Sequence, residues 1–218
     1  KHKYFAPYPD GFVYANDINE AITMIDDTTV GVMLELIQGE GGIFMQDIFQ
    51  VQRLERILKE KKLLLIIDEV QTGVYRSGNF LISQYFGIKP DIVTLAKGLA
   101  SGIPIGVMMT SLKDIFTFGD HGSTFGGNHL STTVCKAVLK ILEKYSNSGK
   151  LSENIKYFNS CLQYFTDKYP NIFLQKNGWG FMQGLVLKNE NDLSNIVNLA
   201  LKNGVLVLKS GKNIIRFL

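Results

Sequence analysis

Three charged side chains in the first half of the sequence stand directly after apolar, strand-like runs. Asp68 ends the run LLLIID, Lys97 follows DIVTLA, and Glu40 lies in the glycine-rich turn of VGVMLELIQGEGG. Ligands bind at the carboxyl ends of parallel strands, so we expect these charges to lie close together. A lysine that is desolvated near a carboxylate can supply the neutral amine that attacks a carbonyl group. Taken alone, Lys97 is more simply a solvated loop lysine, and Asp68 is equally well a helix-capping carboxylate.

Strands alternating with helices would hold these groups in place. The runs at 30–37, LLLIID, DIVTLA and IGVMMT predict strands, and QDIFQVQRLERILKEKK, between the first two, places apolar residues on one helical face. Strands that are apolar on both faces are typical of a parallel sheet covered by helices. The sequence therefore predicts an α/β fold with a largely parallel sheet.

The second part of the chain has a different pattern. A long helix is predicted from about residue 129 to 145, with Asn128 as its N-cap, and SNSG closes it. Two further amphipathic helices and the strand-like runs FMQGLVL, VLVL and NIIRFL follow. We therefore expect residues 1–146 to be part of a larger domain and 147–218 to be part of a smaller α+β domain.

Composition excludes several classes of partner. The 218 residues are 45% apolar and 20% charged, as in soluble globular proteins, and a net charge of +3 with scattered lysines gives no basic face for nucleic acid. The apolar run at 63–67 is far shorter than the ~20 residues that span a bilayer. Cys135 and Cys161 lack metal-ligand spacing, so we expect no metal site and a cytoplasmic protein. The sequence starts without methionine and stops on a strand pattern, which predicts part of a longer protein.

Several motifs occur together in order along the chain. QGEGG, DEVQTGVYRSGNF, Lys97 and HGSTFGGN resemble the class-III pyridoxal-phosphate aminotransferases of fold type I, most of all their acetylornithine and ornithine branch. The resemblance extends from KYFAPYPDG to IIRFL. It implies a large domain of fold type I followed by a small C-terminal domain, with pyridoxal 5'-phosphate as the cofactor.

The resemblance assigns four residues to the cofactor ring. Lys97 matches the Schiff-base lysine, whose amine also moves a proton during the reaction. Asp68 matches the aspartate that pairs with the pyridine nitrogen and keeps it protonated. Val70 matches the residue that packs on one ring face, and Gln71 the residue that binds the phenolic oxygen. Without the resemblance, Val70 is as well explained as a core valine and Gln71 as a surface glutamine.

The resemblance also implies a homodimer with shared active sites. Ser123 and Thr124, in HGSTFGGN, match the segment that reaches the cofactor phosphate of the partner subunit. Glu40 matches a glutamate that pairs with an arginine near the C-terminal strand and controls its access to a substrate carboxylate. Arg216 matches that arginine, which would otherwise be a surface residue on an edge strand.

The expected activity is transfer of an amino group from N-acetylornithine to 2-oxoglutarate in arginine synthesis. Ornithine, succinylornithine and 4-aminobutyrate are alternative amino donors within the same family. An alternative of another class is a non-catalytic fragment, because the family's upstream phosphate loop, stacking aromatic residue and α-carboxylate arginine precede the start of this chain. A nucleotide-binding domain is disfavoured because no strand is followed by GxGxxG or a P-loop.

Overall fold

The computed structural model describes residues 10–217, which form two four-stranded sheets, a short two-stranded ladder and the helices around them. The strands are β1 (Gly31–Leu34), β2 (Ile37–Gln38), β3 (Phe44–Met45), β4 (Leu64–Asp68), β5 (Ile92–Leu95), β6 (Val107–Thr110), β7 (Phe173–Trp179), β8 (Met182–Leu187), β9 (Leu208–Ser210) and β10 (Ile214–Phe217). The α-helices are α1 (Ile18–Thr23), α2 (Ile48–Lys61), α3 (Ile82–Phe86), α4 (His129–Asn147), α5 (Lys150–Lys168) and α6 (Leu193–Lys202).

The first sheet is largely parallel, as the sequence predicts. Its strand order is β1-β4-β5-β6, with β1–β4 and β4–β5 parallel and β5–β6 antiparallel. Helix α2 makes the crossover between β1 and β4 and buries Val51, Leu54 and Leu58. It ends at Lys62, which adopts the left-handed conformation of a helix C-cap. The carboxyl ends of β1, β4 and β5 therefore meet at one edge of the sheet.

The predicted strand at 30–37 is wrong in its length. β1 ends at Leu34, and after two residues the chain forms β2, which pairs antiparallel with β3. The Glu35 carboxylate accepts a hydrogen bond from the Gly39 N–H at 3.2 Å. This bond closes a turn that directs the chain away from the first sheet. The connection that follows, from β2 to β3, carries Glu40.

The second sheet is antiparallel, with strand order β7-β8-β10-β9 and helix α6 packed on it. It confirms the predicted α+β character of the C-terminal part. The predicted strand VLVL is wrong, because only its last residue, Leu208, belongs to β9. Val205 donates its N–H to the Ala200 carbonyl at 2.9 Å, so this residue still caps α6 and cannot join a strand. Leu218, the end of the predicted strand NIIRFL, lies outside the described residues.

One hydrophobic core joins the two sheets. Ile37 and Ile43, from the β2–β3 region, are fully buried in the same cluster as Ile67 of the first sheet and Met182 and Ile214 of the second. The loop before α3 also contacts the second sheet, since Phe181 donates its N–H to the Arg76 carbonyl at 2.9 Å. The predicted domain boundary between residues 146 and 147 falls at the end of α4 and stays a prediction.

Helix α4 confirms the predicted long helix, and the Asn128 side chain accepts the N–H of Ser131 as its N-cap. Its apolar face is only partly covered, because Leu130 and Ile141 remain 64% and 67% exposed. Across residues 10–217, no helix has the length and apolar character needed to cross a bilayer.

Candidate functional site

Asp68 lies at the carboxyl end of β4, between two neighbouring strand ends. The Cα register pairs Leu34 with Ile67 on one side and Asp68 with Thr94 on the other. Asp68 Oδ1 accepts hydrogen bonds from the Val70 N–H at 2.9 Å and from the Thr94 hydroxyl at 3.1 Å. Two donors thus fix the direction of a half-buried carboxylate at the edge where ligands bind in open sheets.

The next residue, Glu69, is the one that caps a helix. Its side chain is fully buried and accepts the N–H groups of Ile82 and Ser83, at the start of α3, each at 2.9 Å. The Thr72 hydroxyl donates a third hydrogen bond at 2.7 Å. Glu69 is therefore structural, and it leaves Asp68 as the acidic side chain of this pair that is available to a ligand.

Lys97 is the first residue of a 3-10 turn that follows β5 directly, at Lys97–Ala100. Its φ of 45° lies in the left-handed region, which residues other than glycine seldom adopt and which is often retained at functional sites. The exposed side chain lines a cleft of about 450 Å³ together with Val70 and Gln71. Among the described residues that line it, Arg76 is the other cation and none is acidic. The cleft therefore favours an anionic ligand.

Gln71 packs against Gly39, the glycine that precedes Glu40. A Cβ at Gly39 would overlap the Gln71 side-chain oxygen, so the absence of a side chain at Gly39 lets the amide occupy this position. Gln71 Oε1 is buried and has no hydrogen-bond partner within the described part of the chain. An unsatisfied buried amide is unusual, and it indicates that a ligand or solvent group completes the site.

Arg216 and Glu40 form an ion pair between the two sheets. Arg216 Nη1 donates to Glu40 Oε1 at 2.6 Å and to the Gly39 carbonyl at 3.1 Å. The Arg216 side chain is only 8% exposed, whereas that of Glu40 is 54% exposed. The Arg216 Nε is buried without a partner among residues 10–217. The alternative interpretation of Arg216, as a surface residue on an edge strand, is wrong, since the side chain is buried and β10 lies between β8 and β9.

Glu35 is a member of this site that the sequence analysis missed. Its carboxyl group follows β1, and its pKa is raised, chiefly by burial. The hydrogen bond from Gly39 and the charge of Lys97 oppose the shift, while the charges of Asp68 and Glu40 add to it. Glu35 thus interacts electrostatically with all three charges from which the site was predicted. No strand-end signal marks Glu35 in the sequence, because the apolar pattern continues through Leu36 and Ile37.

Ser123 and Thr124 are not part of the cleft lining. Both lie in an exposed loop before α4, where the Ser123 hydroxyl accepts the Gly126 N–H at 2.8 Å. The structure therefore groups the predicted residues in three places: Asp68, Val70, Gln71 and Lys97 at the strand ends, Glu40 with Arg216, and the loop of Ser123 and Thr124. Their roles toward a cofactor or substrate stay predictions.

Sequence comparisons identify relatives over the whole chain. A family model described as class-III aminotransferase matches residues 2–218. The acetylornithine aminotransferase of Wolinella succinogenes is 50% identical over 217 residues, which cover 100% of this chain and 55% of that protein. That of Aquifex aeolicus is 40% identical over 222 residues, covering 100% of this chain and 56% of its own. The chain thus spans about half the length of the curated relatives it matches.

Solved structures give the same result for the fold. An ornithine aminotransferase structure from Toxoplasma gondii, described as having partial occupancy of PLP at its active site, has a TM-score of 0.84 and 28% identity, covering 99% of this chain and 52% of that one. An N-acetylornithine aminotransferase from Stenotrophomonas maltophilia has a TM-score of 0.81 and 28% identity, covering 97% and 57%. These similarities confirm the fold that the sequence predicts.

Proposed function

The chain belongs to the class-III aminotransferases, and we propose that the protein moves the amino group of N-acetylornithine to 2-oxoglutarate as a step of arginine synthesis. The family uses pyridoxal phosphate as its cofactor. The donor is proposed from the acetylornithine aminotransferases to which the chain is similar. The observation that carries the proposal is the position of Lys97, in an open cleft beside Val70 and Gln71 and next to the strand end that holds Asp68.

The residues present fit this cofactor. A cleft of about 450 Å³ is within the size range of small-molecule sites. Its two cations suit an anionic cofactor, and the buried Gln71 Oε1 is an acceptor with no partner among the described residues. Both hydrogen bonds that fix Asp68 reach Oδ1, which leaves Oδ2 to accept from a protonated ring nitrogen.

Each side chain then has one task. When bound, pyridoxal phosphate supplies an electron sink for negative charge at the substrate carbon. Lys97 would hold the cofactor through its amine and, when that amine is free, would move a proton at the reacting carbon. Asp68 would hold the proton at the ring nitrogen, Val70 would pack against the ring and Gln71 would hydrogen-bond its phenolic oxygen.

Arg216 binds the distal carboxylate of 2-oxoglutarate. Its guanidinium remains charged and can hold a carboxylate with two parallel hydrogen bonds. Because Glu40 is the exposed partner of the ion pair, its side chain can move into solvent while Arg216 stays in place. With N-acetylornithine, which has no distal carboxylate, Glu40 keeps Arg216 neutralised.

Ornithine is the second candidate donor, since two of the similar solved structures are ornithine aminotransferases of Toxoplasma gondii. Succinylornithine and 4-aminobutyrate are the other donors to compare. Turnover of the four amino donors by the full-length protein distinguishes these possibilities, and no turnover of N-acetylornithine would contradict the proposed donor.

The proposed assembly is a homodimer with shared active sites. Its support is the apolar surface around the loop of Ser123 and Thr124, where large side chains remain exposed. These are Phe116, Phe118, Phe125 and Leu130. A second subunit that covers this surface would also receive the two hydroxyl groups at its cofactor phosphate.

The central prediction concerns Lys97. Full-length protein given pyridoxal phosphate is expected to develop the absorbance band of a lysine-bound cofactor, and Lys97→Ala is expected to lose it because no other amine takes that position. Lys113→Ala, which removes an exposed lysine, is the matched control and should keep the band. A band that persists in Lys97→Ala would overturn the assignment. No band in the unaltered full-length protein would contradict the proposed function, whereas no band in the 218-residue chain alone would favour the non-catalytic fragment.

A further inference from the structure

Gly39 is held on both sides by hydrogen bonds from three different parts of the chain. Its N–H donates to Glu35 Oε2 at 3.2 Å, from the end of β1. Its carbonyl accepts the Ser210 hydroxyl of β9 at 2.8 Å and Arg216 Nη1 of β10 at 3.1 Å. Gln71 fills the space beside its Cα. Gly39 is thus the point where the strand ends of the first sheet meet the arginine of the second.

The bond to Glu35 is the hydrogen bond that links Gly39 to the first sheet. Glycine has no side chain to restrict its backbone, so its orientation depends on its hydrogen bonds. The carbonyl side of Gly39 is bound only by residues of the second sheet, among the bonds recorded for residues 10–217. The Glu35 bond thus ties the Gly39 backbone to the end of β1, in addition to the β2–β3 pairing and the Gln71 contact that also hold it.

We propose that Glu35 is a positioning residue for Arg216. By holding the Gly39 N–H, it anchors the residue whose carbonyl accepts from the guanidinium, and so helps to keep the guanidinium in place for a substrate's distal carboxylate. The inference rests on the proposed function, in which Arg216 binds that carboxylate. The proposed role depends on the length and the acceptor oxygen of the Glu35 side chain and not on its charge.

The electrostatic surroundings agree with a role that does not need the charge. Burial above all, with the nearby acids Asp68 and Glu40, raises the pKa of Glu35, while the Gly39 N–H and the charge of Lys97 lower it. A carboxyl oxygen can accept the Gly39 N–H in either protonation state. The hydrogen bond therefore persists when the charge of the site changes.

Two substitutions separate position from charge. Glu35→Asp keeps the charge but is one methylene shorter, so it loses the reach to Gly39. Glu35→Gln keeps the length and an acceptor oxygen but removes the charge. The probes are glutarate, which has a distal carboxylate, and butyrate, which lacks one, and their binding to the cofactor-loaded full-length protein is measured by calorimetry.

We expect Glu35→Asp to weaken glutarate binding about fivefold, the effect of one lost hydrogen bond, and to leave butyrate binding unchanged. Glu35→Gln should keep the glutarate preference. The inference would be overturned if Glu35→Gln lost the preference for glutarate while Glu35→Asp kept it, or if both variants kept it.

Arg216→Leu separates this inference from the proposed function. If Arg216→Leu keeps the preference for glutarate, the proposed role of Arg216 fails. If Arg216→Leu loses the preference and Glu35→Asp keeps it, only the role of Glu35 fails. Unfolding by urea checks that each variant is folded before its binding is compared.

Discussion

Asp68 and Glu69 are adjacent acids with opposite tasks, and their hydrogen bonds distinguish them. Glu69 is fully buried, and each of its oxygens accepts a backbone N–H from the start of α3. Asp68 is half-buried and engages only one oxygen in the hydrogen bonds described above. The strand alternation explains the difference, because consecutive residues point to opposite faces of the sheet.

We therefore expect Glu69→Ala to lower the free energy of unfolding by about 3 kcal/mol, since it leaves two buried N–H groups without acceptors. Asp68→Asn keeps an oxygen for Val70 and Thr94, and should lower it by less than about 1 kcal/mol. Urea unfolding of the cofactor-free proteins measures both values. Equal losses in the two variants would contradict the division of tasks.

Much of the site was predictable at the level of single residues, and the exceptions have a physical cause. Asp68 and Lys97 follow strands whose apolar pattern is unambiguous, so their shared edge follows from the fold class. Glu35 was missed because the apolar pattern continues through Leu36 and Ile37, which hides the end of β1. The orphaned nitrogen of Arg216 and the contact of Gln71 with Gly39 depend on packing between distant segments, which no local pattern encodes.

At the scale of elements, the sequence predicted every strand of the first sheet and helices α2 and α4. It failed where a neighbour decides the conformation. Residue 37 leaves the first sheet because Met45 pairs with it, and Val205 is kept out of β9 by its bond to α6. Strand propensity alone cannot distinguish these outcomes, since the runs at 30–37 and 205–208 both have good strand-forming residues.

The turn between β7 and β8 contacts the loop before α3 so closely that it needs glycine. Gly180 has a φ of 61°, and a Cβ there would lie 2.5 Å from the Ser77 carbonyl carbon. Gly204, with a φ of 79°, has open space at the corresponding position and is a matched control. Both residues have the same kind of backbone conformation, and only one of them has a close neighbour.

Gly204→Ala is expected to cost about 1 kcal/mol of unfolding free energy, from backbone strain alone. Gly180→Ala should cost about 2 kcal/mol more, because the added methyl group forces two backbones apart. Chemical denaturation of the two variants under the same conditions gives the difference. If the two losses are the same, the contact at Ser77 contributes nothing measurable.

At the scale of the whole molecule, the proposed site needs residues from separate parts of the chain. Lys97 and Asp68 come from the first sheet, Arg216 from the second, and Ser123 with Thr124 from a loop that is exposed in this chain. The core that contains Ile43 and Ile214 makes the first two parts one unit. We propose that the loop of Ser123 and Thr124 contacts the cofactor phosphate of a second subunit.

Subunit mixing tests this assignment. Lys97→Ala and the double variant Ser123→Ala with Thr124→Ala should each have little activity as full-length proteins. After they are unfolded and refolded together, mixed dimers have one site with both an intact Lys97 and an intact loop, and part of the activity should return. Because no mixed site of this kind forms if each subunit uses its own loop, an inactive mixture would contradict shared sites.

The left-handed backbone of Lys97 also places stability and chemistry in opposition at this residue. Glycine would occupy a φ of 45° with about 1 kcal/mol less strain, but it has no amine. A substitution chosen only to make the protein more stable would therefore remove the amine to which we assign the cofactor. Thermal stability gained at Lys97 would be gained at the expense of the activity we propose.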